Sequence, residues 1–123
     1  MPVRSLSSSV LKWPDQRSVH QAVAAWAKRL AQRQPGVLRV GYFGSYTRQD
    51  WGVGSDLDLV VILDTVSVPF EQRAVDLDLA SIPVPVDPLV YSKEEWQALT
   101  AAQGKFIRAI QSEAVWVYDS RDN

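Results

Sequence analysis

The sequence predicts an α/β (α+β) fold, a small mixed β-sheet flanked by helices. Three observations carry that prediction. Val19, Val23, Trp26 and Leu30 recur at helical spacing. Two segments of strand length follow, Val37 to Phe43 and Leu59 to Leu63, the second apolar throughout, as in a strand covered on both faces. Helical and strand patterns then alternate as far as Tyr118, which argues for helices layered on one sheet.

Taken in order, residues 1–14 read as a lead-in to a single domain over residues 15–123. A first helix is expected from Asp15 to Gln34, with Arg17, Lys28, Arg29 and Arg33 mostly off the apolar stripe and Pro35-Gly36 as its stop. The strand Val37 to Phe43 runs into Gly44. Tyr46 to Trp51 fits a short helix before a Gly52-Val53-Gly54 turn, and the second strand spans Asp56 to Leu63. Pro69 suits a first helical turn, so a helix is expected over Pro69 to Ala80. Val84 to Tyr91 reads as a third strand, which Pro88 confines to an edge or a bulge. Ser92 and Glu95 form a capping-box pattern that opens one or two helices over Lys93 to Glu113, broken near Gly104. Ala114 to Tyr118 closes as a short strand.

Composition narrows the function. At 123 residues the chain can bury about two-thirds of its unfolded surface, enough for a real core. A formal charge of −1 gives no electrostatic case for direct nucleic-acid binding. With no cysteine, disulfides, thiolate metal sites and a cysteine nucleophile are excluded. No apolar block is long enough for a signal peptide or a membrane span, so a soluble protein of the cytoplasm is expected. His20, the sole histidine, lies on the first helix away from the segment discussed next, which leaves histidine-based hydrolase or metal schemes without their key residue.

That segment runs from Gly44 to Leu63. Asp56 and Asp58 lie two apart on a strand, so both project from one face about 6.5–7 Å apart. Two such carboxylates can bracket divalent ions; without a cation, charges 4 Å apart repel by about 4 kcal/mol at an effective dielectric of 20. Alone, an Asp-x-Asp reads as a turn cap beside a solvated strand end. The upstream turn shifts that balance: Gly44 lacks a Cβ, so backbone N–H groups can approach phosphate oxygens, and Ser45 adds a hydroxyl at the start of a helix, where anions bind. Asp87, mid-strand, is either a solvent-facing edge residue or, if its strand neighbours the second, a third acid able to hold metal and accept a proton. Arg48 is placed either to neutralise a terminal phosphate or to stand solvated. Tyr46 and Trp51 could stack on a base, though packing is their commoner use. The repeated text Asp76-Leu77-Asp78-Leu79 lies on the expected third helix, where residues two apart diverge by about 200° and cannot share a metal.

Gly44-Ser45, ten residues, then Asp56-x-Asp58 and a later strand aspartate, Asp87, resemble the minimal nucleotidyltransferases of the DNA polymerase β-like superfamily, over most of the chain. The resemblance implies a polymerase β palm-like fold. It implies that Gly44 and Ser45, with Arg48, bind the nucleotide's phosphates, and that Asp56, Asp58 and Asp87 are catalytic and hold two Mg2+ ions. It implies transfer of a nucleoside monophosphate, such as AMP from ATP, to a hydroxyl. Many members read Gly-Ser-x-Ala-Arg-Gly here, whereas this chain has Thr47 and Gln49 around Arg48.

The stretch after Asp87 finishes the sheet's cover but does not suffice for an acceptor-binding domain, so the acceptor is expected on another chain. The minimal nucleotidyltransferases it resembles are often paired with helical toxins of the HEPN type, and the resemblance implies a toxin tyrosine as the leading acceptor; a phenol near pKa 10 is also easier to activate than an aliphatic alcohol. Two alternatives stand beside this antitoxin reading: a module that neutralises its partner by contact alone, and the catalytic subunit of a small-molecule nucleotidyltransferase. Homo- and hetero-oligomers both remain open.

Overall fold

A computed structural model of the chain describes residues 14–48, 56–75 and 77–122. Most of the expected lead-in, the Gly52-Val53-Gly54 turn, Trp51 and Asp76 lie outside the described residues. The elements are helix α1 (Gln16–Arg33), strand β1 (Val37–Phe43), the single-turn helix α2 (Ser45–Arg48), β2 (Leu57–Leu63), β3 (Val86–Ser92), helices α3 (Lys93–Ala102) and α4 (Lys105–Glu113), and β4 (Val115–Asp119). Short 3-10 turns at Phe70–Gln72 and Ser120–Asp122 complete the order.

The four strands form one mixed sheet in the order β3-β2-β1-β4. β1 runs antiparallel to β2 and β4, while β2 and β3 are parallel. Alternation along β2 divides the core. Leu57, Leu59 and Val61 face α1, where Val19, Val23, Trp26, Ala27 and Leu30 supply the stripe read from sequence. Val60 and Ile62 face the other way, onto Trp96 of α3 and Ile107 and Ile110 of α4. The apolar text of β2 after Asp58 is therefore the text of a strand covered on both faces.

Local signals end the elements. The Asp15 carboxylate accepts from the Ser18 N–H at 2.8 Å and starts α1. Ser92 and Glu95 complete the capping box of α3: the Ser92 hydroxyl accepts from the Glu95 N–H at 3.1 Å, and the Glu95 carboxylate accepts from the Ser92 N–H at 2.8 Å. The helical stretch breaks at Gln103, in the left-handed region at φ 51°, and at Gly104. Pro88 sits in β3, an edge strand, where a missing donor is tolerated. β4 docks closely on β1. A Cβ at Gly41 would lie 2.7 Å from the Trp116 ring and 2.9 Å from the Val115 carbonyl oxygen. The Arg39 guanidinium lies 3.6 Å from the centre of that ring and pairs with Asp119 at 3.3 Å.

The expected helix over 69–80 is not formed. Phe70–Gln72 makes one 3-10 turn, followed by turns and bends. Phe70 and Val75, two of the apolar residues of that stretch, are exposed, so no buried stripe rewards a helix there. Tertiary hydrogen bonds hold the segment instead. Arg73 donates to the Val68 and Val90 carbonyls, each at 3.0 Å, and grips both oxygens of Glu95 at 2.6 and 3.1 Å. The Trp26 indole donates to the Asp78 carbonyl at 2.6 Å. The helical argument that separated Asp76 from Asp78 falls with the helix; Asp78 is exposed and accepts from the Ala80 N–H at 3.2 Å.

Candidate active site

The expected site residues gather at one end of the sheet, where β1 stops and β2 and β3 begin. Gly44 follows β1 with φ +87°, a conformation open to glycine at little cost. A Cβ built there would overlap Asp58 Oδ2 and lie 3.4 Å from Asp58 Cγ. The bare backbone of the turn is thus laid directly against the carboxylate. The Gly44 carbonyl accepts from both the Thr47 N–H, at 3.0 Å, and the Thr47 hydroxyl, at 2.8 Å. Thr47, the departure from the alanine common among relatives, clamps the turn rather than loosening it. Because α2 is a single turn, few peptide dipoles add along it, so a helix macrodipole contributes little at Ser45.

Asp58 of β2 is the register partner of Asp87 of β3 and of Phe43 of β1. Neighbouring strands lie about 4.8 Å apart, so Asp87, Asp58 and Phe43 form a row on the face that carries Val60 and Ile62. Asp56 stands immediately before β2, two residues from Asp58, and is exposed; Asp87 is exposed and Asp58 half-buried. The Leu57 N–H donates to the Pro85 carbonyl at 2.8 Å, which ties the start of β2 to the start of β3. The condition set for Asp87, that its strand neighbour the one with the acid pair, is met. Side-chain convergence is not: among the described residues no three His, Cys, Asp or Glu side chains are grouped closely enough to hold a metal ion.

The donor types suit magnesium. The donors are carboxylate oxygens, hard ligands suited to that ion, and a glycine leaves space against one of them that any side chain would fill. Arg48 closes α2, but its side chain lies outside the described residues, as does Trp51. Tyr46 does not stack on a base. It is fully buried in the core beneath α1, so its commoner use, packing, is the one the fold makes of it. His20 is half-buried, and its Nδ1 forms a 2.9 Å hydrogen bond with the Tyr42 hydroxyl, as a satisfied helix histidine would.

One neighbour of the row escaped the sequence reading. Phe106, on the first turn of α4, lies edge-to-face with Phe43, ring centres 6.0 Å apart at 80°. Its signal was its place off the Ile107–Ile110 stripe, which leaves it 52% exposed.

The sheet thus carries a glycine–serine turn laid against Asp58, the register partner of Asp87. The chain belongs to the family described as the nucleotidyltransferase domain, whose profile matches residues 24–117. Among solved structures, a candidate nucleotidyltransferase from Sulfolobus solfataricus superposes with a TM-score of 0.63 at 18% identity, over 88% of this chain and 86% of that one. A toxin–antitoxin structure with AMP-PNP gives 0.56 at 16% identity, over 80% and 75% of the two chains. A mutant of the toxin–antitoxin MntA-HpeT gives 0.53 at 15% identity over the same shares. These are likenesses of fold. A search among curated proteins found no match.

Proposed function

We propose that this nucleotidyltransferase moves AMP from ATP to a tyrosine hydroxyl of a HEPN-type toxin, and so acts as an antitoxin in the cytoplasm. The observation that carries the catalytic half is the register of Asp58 with Asp87, beside a glycine whose bare backbone meets the Asp58 carboxylate. The antitoxin half is supported by the toxin–antitoxin structures of like fold, one of them holding AMP-PNP.

In this reading Gly44 and Ser45 bind phosphate oxygens of the triphosphate, and Arg48 is assigned to neutralise its terminal charge. Asp56, Asp58 and Asp87 would hold two magnesium ions, which when bound neutralise phosphate charge and make the acceptor hydroxyl more acidic. Asp87, on the edge strand, takes the proton of the attacking hydroxyl. The acceptor oxygen forms its bond to the α-phosphorus as the bond from that phosphorus to the bridging oxygen breaks, and pyrophosphate leaves.

The test combines the protein with Mg·ATP and the HEPN-type partner. One AMP added to a partner tyrosine, absent with Asp58→Asn, is the expected mass-spectrometric result. No adduct from the wild type ends the catalytic reading. Neutralisation that survives Asp56→Asn with Asp58→Asn would replace it by neutralisation through contact.

A further inference from the structure

We propose that the edge of the sheet along β3, from Asp87 to the Phe70 ring, is the surface on which the acceptor protein docks, and that it fits a helical partner whose apolar face is rimmed by Lys and Arg. The inference rests on the reading of Asp87 as the acceptor's base and deepens it by placing the partner.

In-line displacement sets the direction of approach, because the acceptor oxygen meets the α-phosphorus opposite the leaving pyrophosphate. Pyrophosphate leaves toward the Gly44–Ser45 turn, at the end of β1. The acceptor therefore arrives from the other side of the row. The order across the sheet is Asp87, Asp58, Phe43, so that side is the edge strand β3.

An apolar track runs along this edge. Asp87, Leu89 and Tyr91 alternate onto one face of β3; Leu89 and Tyr91 pack on the cluster of Val60, Ile62 and Trp96 yet stay half-buried. The Phe70 ring extends the track, 5.5 Å from the Tyr91 ring between centres and 42% exposed, and Val68 beside it in sequence is equally exposed. Four residues of strand separate Asp87 from Tyr91, about 13 Å, which one protein partner spans.

The backbone of the edge is blunted against an added strand. The Val90 carbonyl, turned away from β2, accepts from Arg73 at 3.0 Å, and Pro88 on the same edge has no N–H to offer. Side chains must make the contact, as they do when a helix lies on an apolar surface. Charge selects among helices. Residues 64–95 hold seven acidic and two basic side chains and the rest of the chain seven and eleven, so the acidity of this chain is gathered around the track. Glu71 and Glu94 are exposed there, and of the two bases, Lys93 and Arg73, the second is bound to Glu95. An apolar patch with an acidic rim is complementary to an apolar face with a basic one.

The test measures association with the HEPN-type partner by surface plasmon resonance without nucleotide, and Mg·ATP binding separately by calorimetry. Phe70→Ser is expected to weaken the partner by about tenfold or more, the loss of one aromatic anchor, and to leave Mg·ATP binding unchanged. Glu71→Lys with Glu94→Lys should weaken the partner and flatten the salt dependence of its affinity. Phe106→Ser, which removes an exposed ring at the β1 end, should leave association unchanged. Unchanged partner affinity in Phe70→Ser, an equal loss in Phe106→Ser, or no association by the wild type overturns the inference. Lost Mg·ATP binding in Phe70→Ser would make the track a nucleoside site, and a wild-type dimer dissociated by Phe70→Ser would assign the edge to a second copy; either result overturns it. A partner that binds through Phe70 and gains no AMP ends the catalytic reading and leaves the docking surface standing.

Discussion

Gly44 meets two demands that no residue with a side chain satisfies: a φ of +87° and a carboxylate lying where its Cβ would be. Gly44→Ala should therefore cost about 1–2 kcal/mol in backbone strain, read from urea unfolding. Displacing Asp58 by even about 1 Å should also lower turnover about 100-fold, because attack geometry is that sensitive. Thr47 makes a smaller, separable contribution. Thr47→Val keeps the shape but removes the hydroxyl bond to the Gly44 carbonyl, and should lower stability by about 1 kcal/mol; Thr47→Ser should not. Of this site, the spacing from Gly44-Ser45 to Asp56 and Asp58 was legible in sequence, because glycine permissiveness and two-residue alternation are local properties. Thr47's clamp was not, since a threonine in that place reads equally well as a solvated helix residue.

The crossover from β2 to β3 shows where reading by element fails and why. Phe70, Ala74 and Leu77 recur at helical spacing, yet Phe70 stands exposed and the segment is pinned by Arg73 and by the indole of Trp26. Those partners lie on β3, α3 and α1, beyond the reach of any local pattern. Arg73→Met should leave the Val90 and Val68 carbonyls short of a donor, costing about 2 kcal/mol, and speed hydrogen exchange over residues 64–85. The same grip gives a pH dependence. Hydrogen bonding from Arg73, then from the Ser92 N–H, holds the Glu95 carboxyl down to about 2, against 4.5 ordinarily. A depressed carboxylate stabilises the fold fully above its unfolded value and loses that contribution as pH falls through its folded value. The stability gap between wild type and Glu95→Gln should thus be complete near neutrality and shrink between about pH 4.5 and pH 2 in denaturant titrations. Half-exposure of the Glu95 side chain keeps the gap small. By contrast α1, β1 and the α3 capping box lie close to where their caps and stripes place them, since each is specified by neighbours in sequence.

Across the whole molecule, the candidate site draws on strands that meet only in the finished sheet. Asp58 and Asp87 are neighbours through the parallel pairing of β2 and β3, a relation no spacing rule contains. Ligand binding should therefore stabilise the entire fold. Mg·ATP at 100 times its dissociation constant should raise the unfolding free energy by about 2.7 kcal/mol, visible as a higher Tm that chelation by EDTA abolishes. At the opposite edge, β4 rests where Gly41 yields its surface to the Trp116 ring and the Val115 carbonyl. One methyl at position 41 has no soft neighbour to push aside, so Gly41→Ala should prise the outermost strand from its berth at a cost of about 1–3 kcal/mol. The strand's seat is a vacancy in the side-chain inventory, and it can be forfeited without altering a single atom of the acid row.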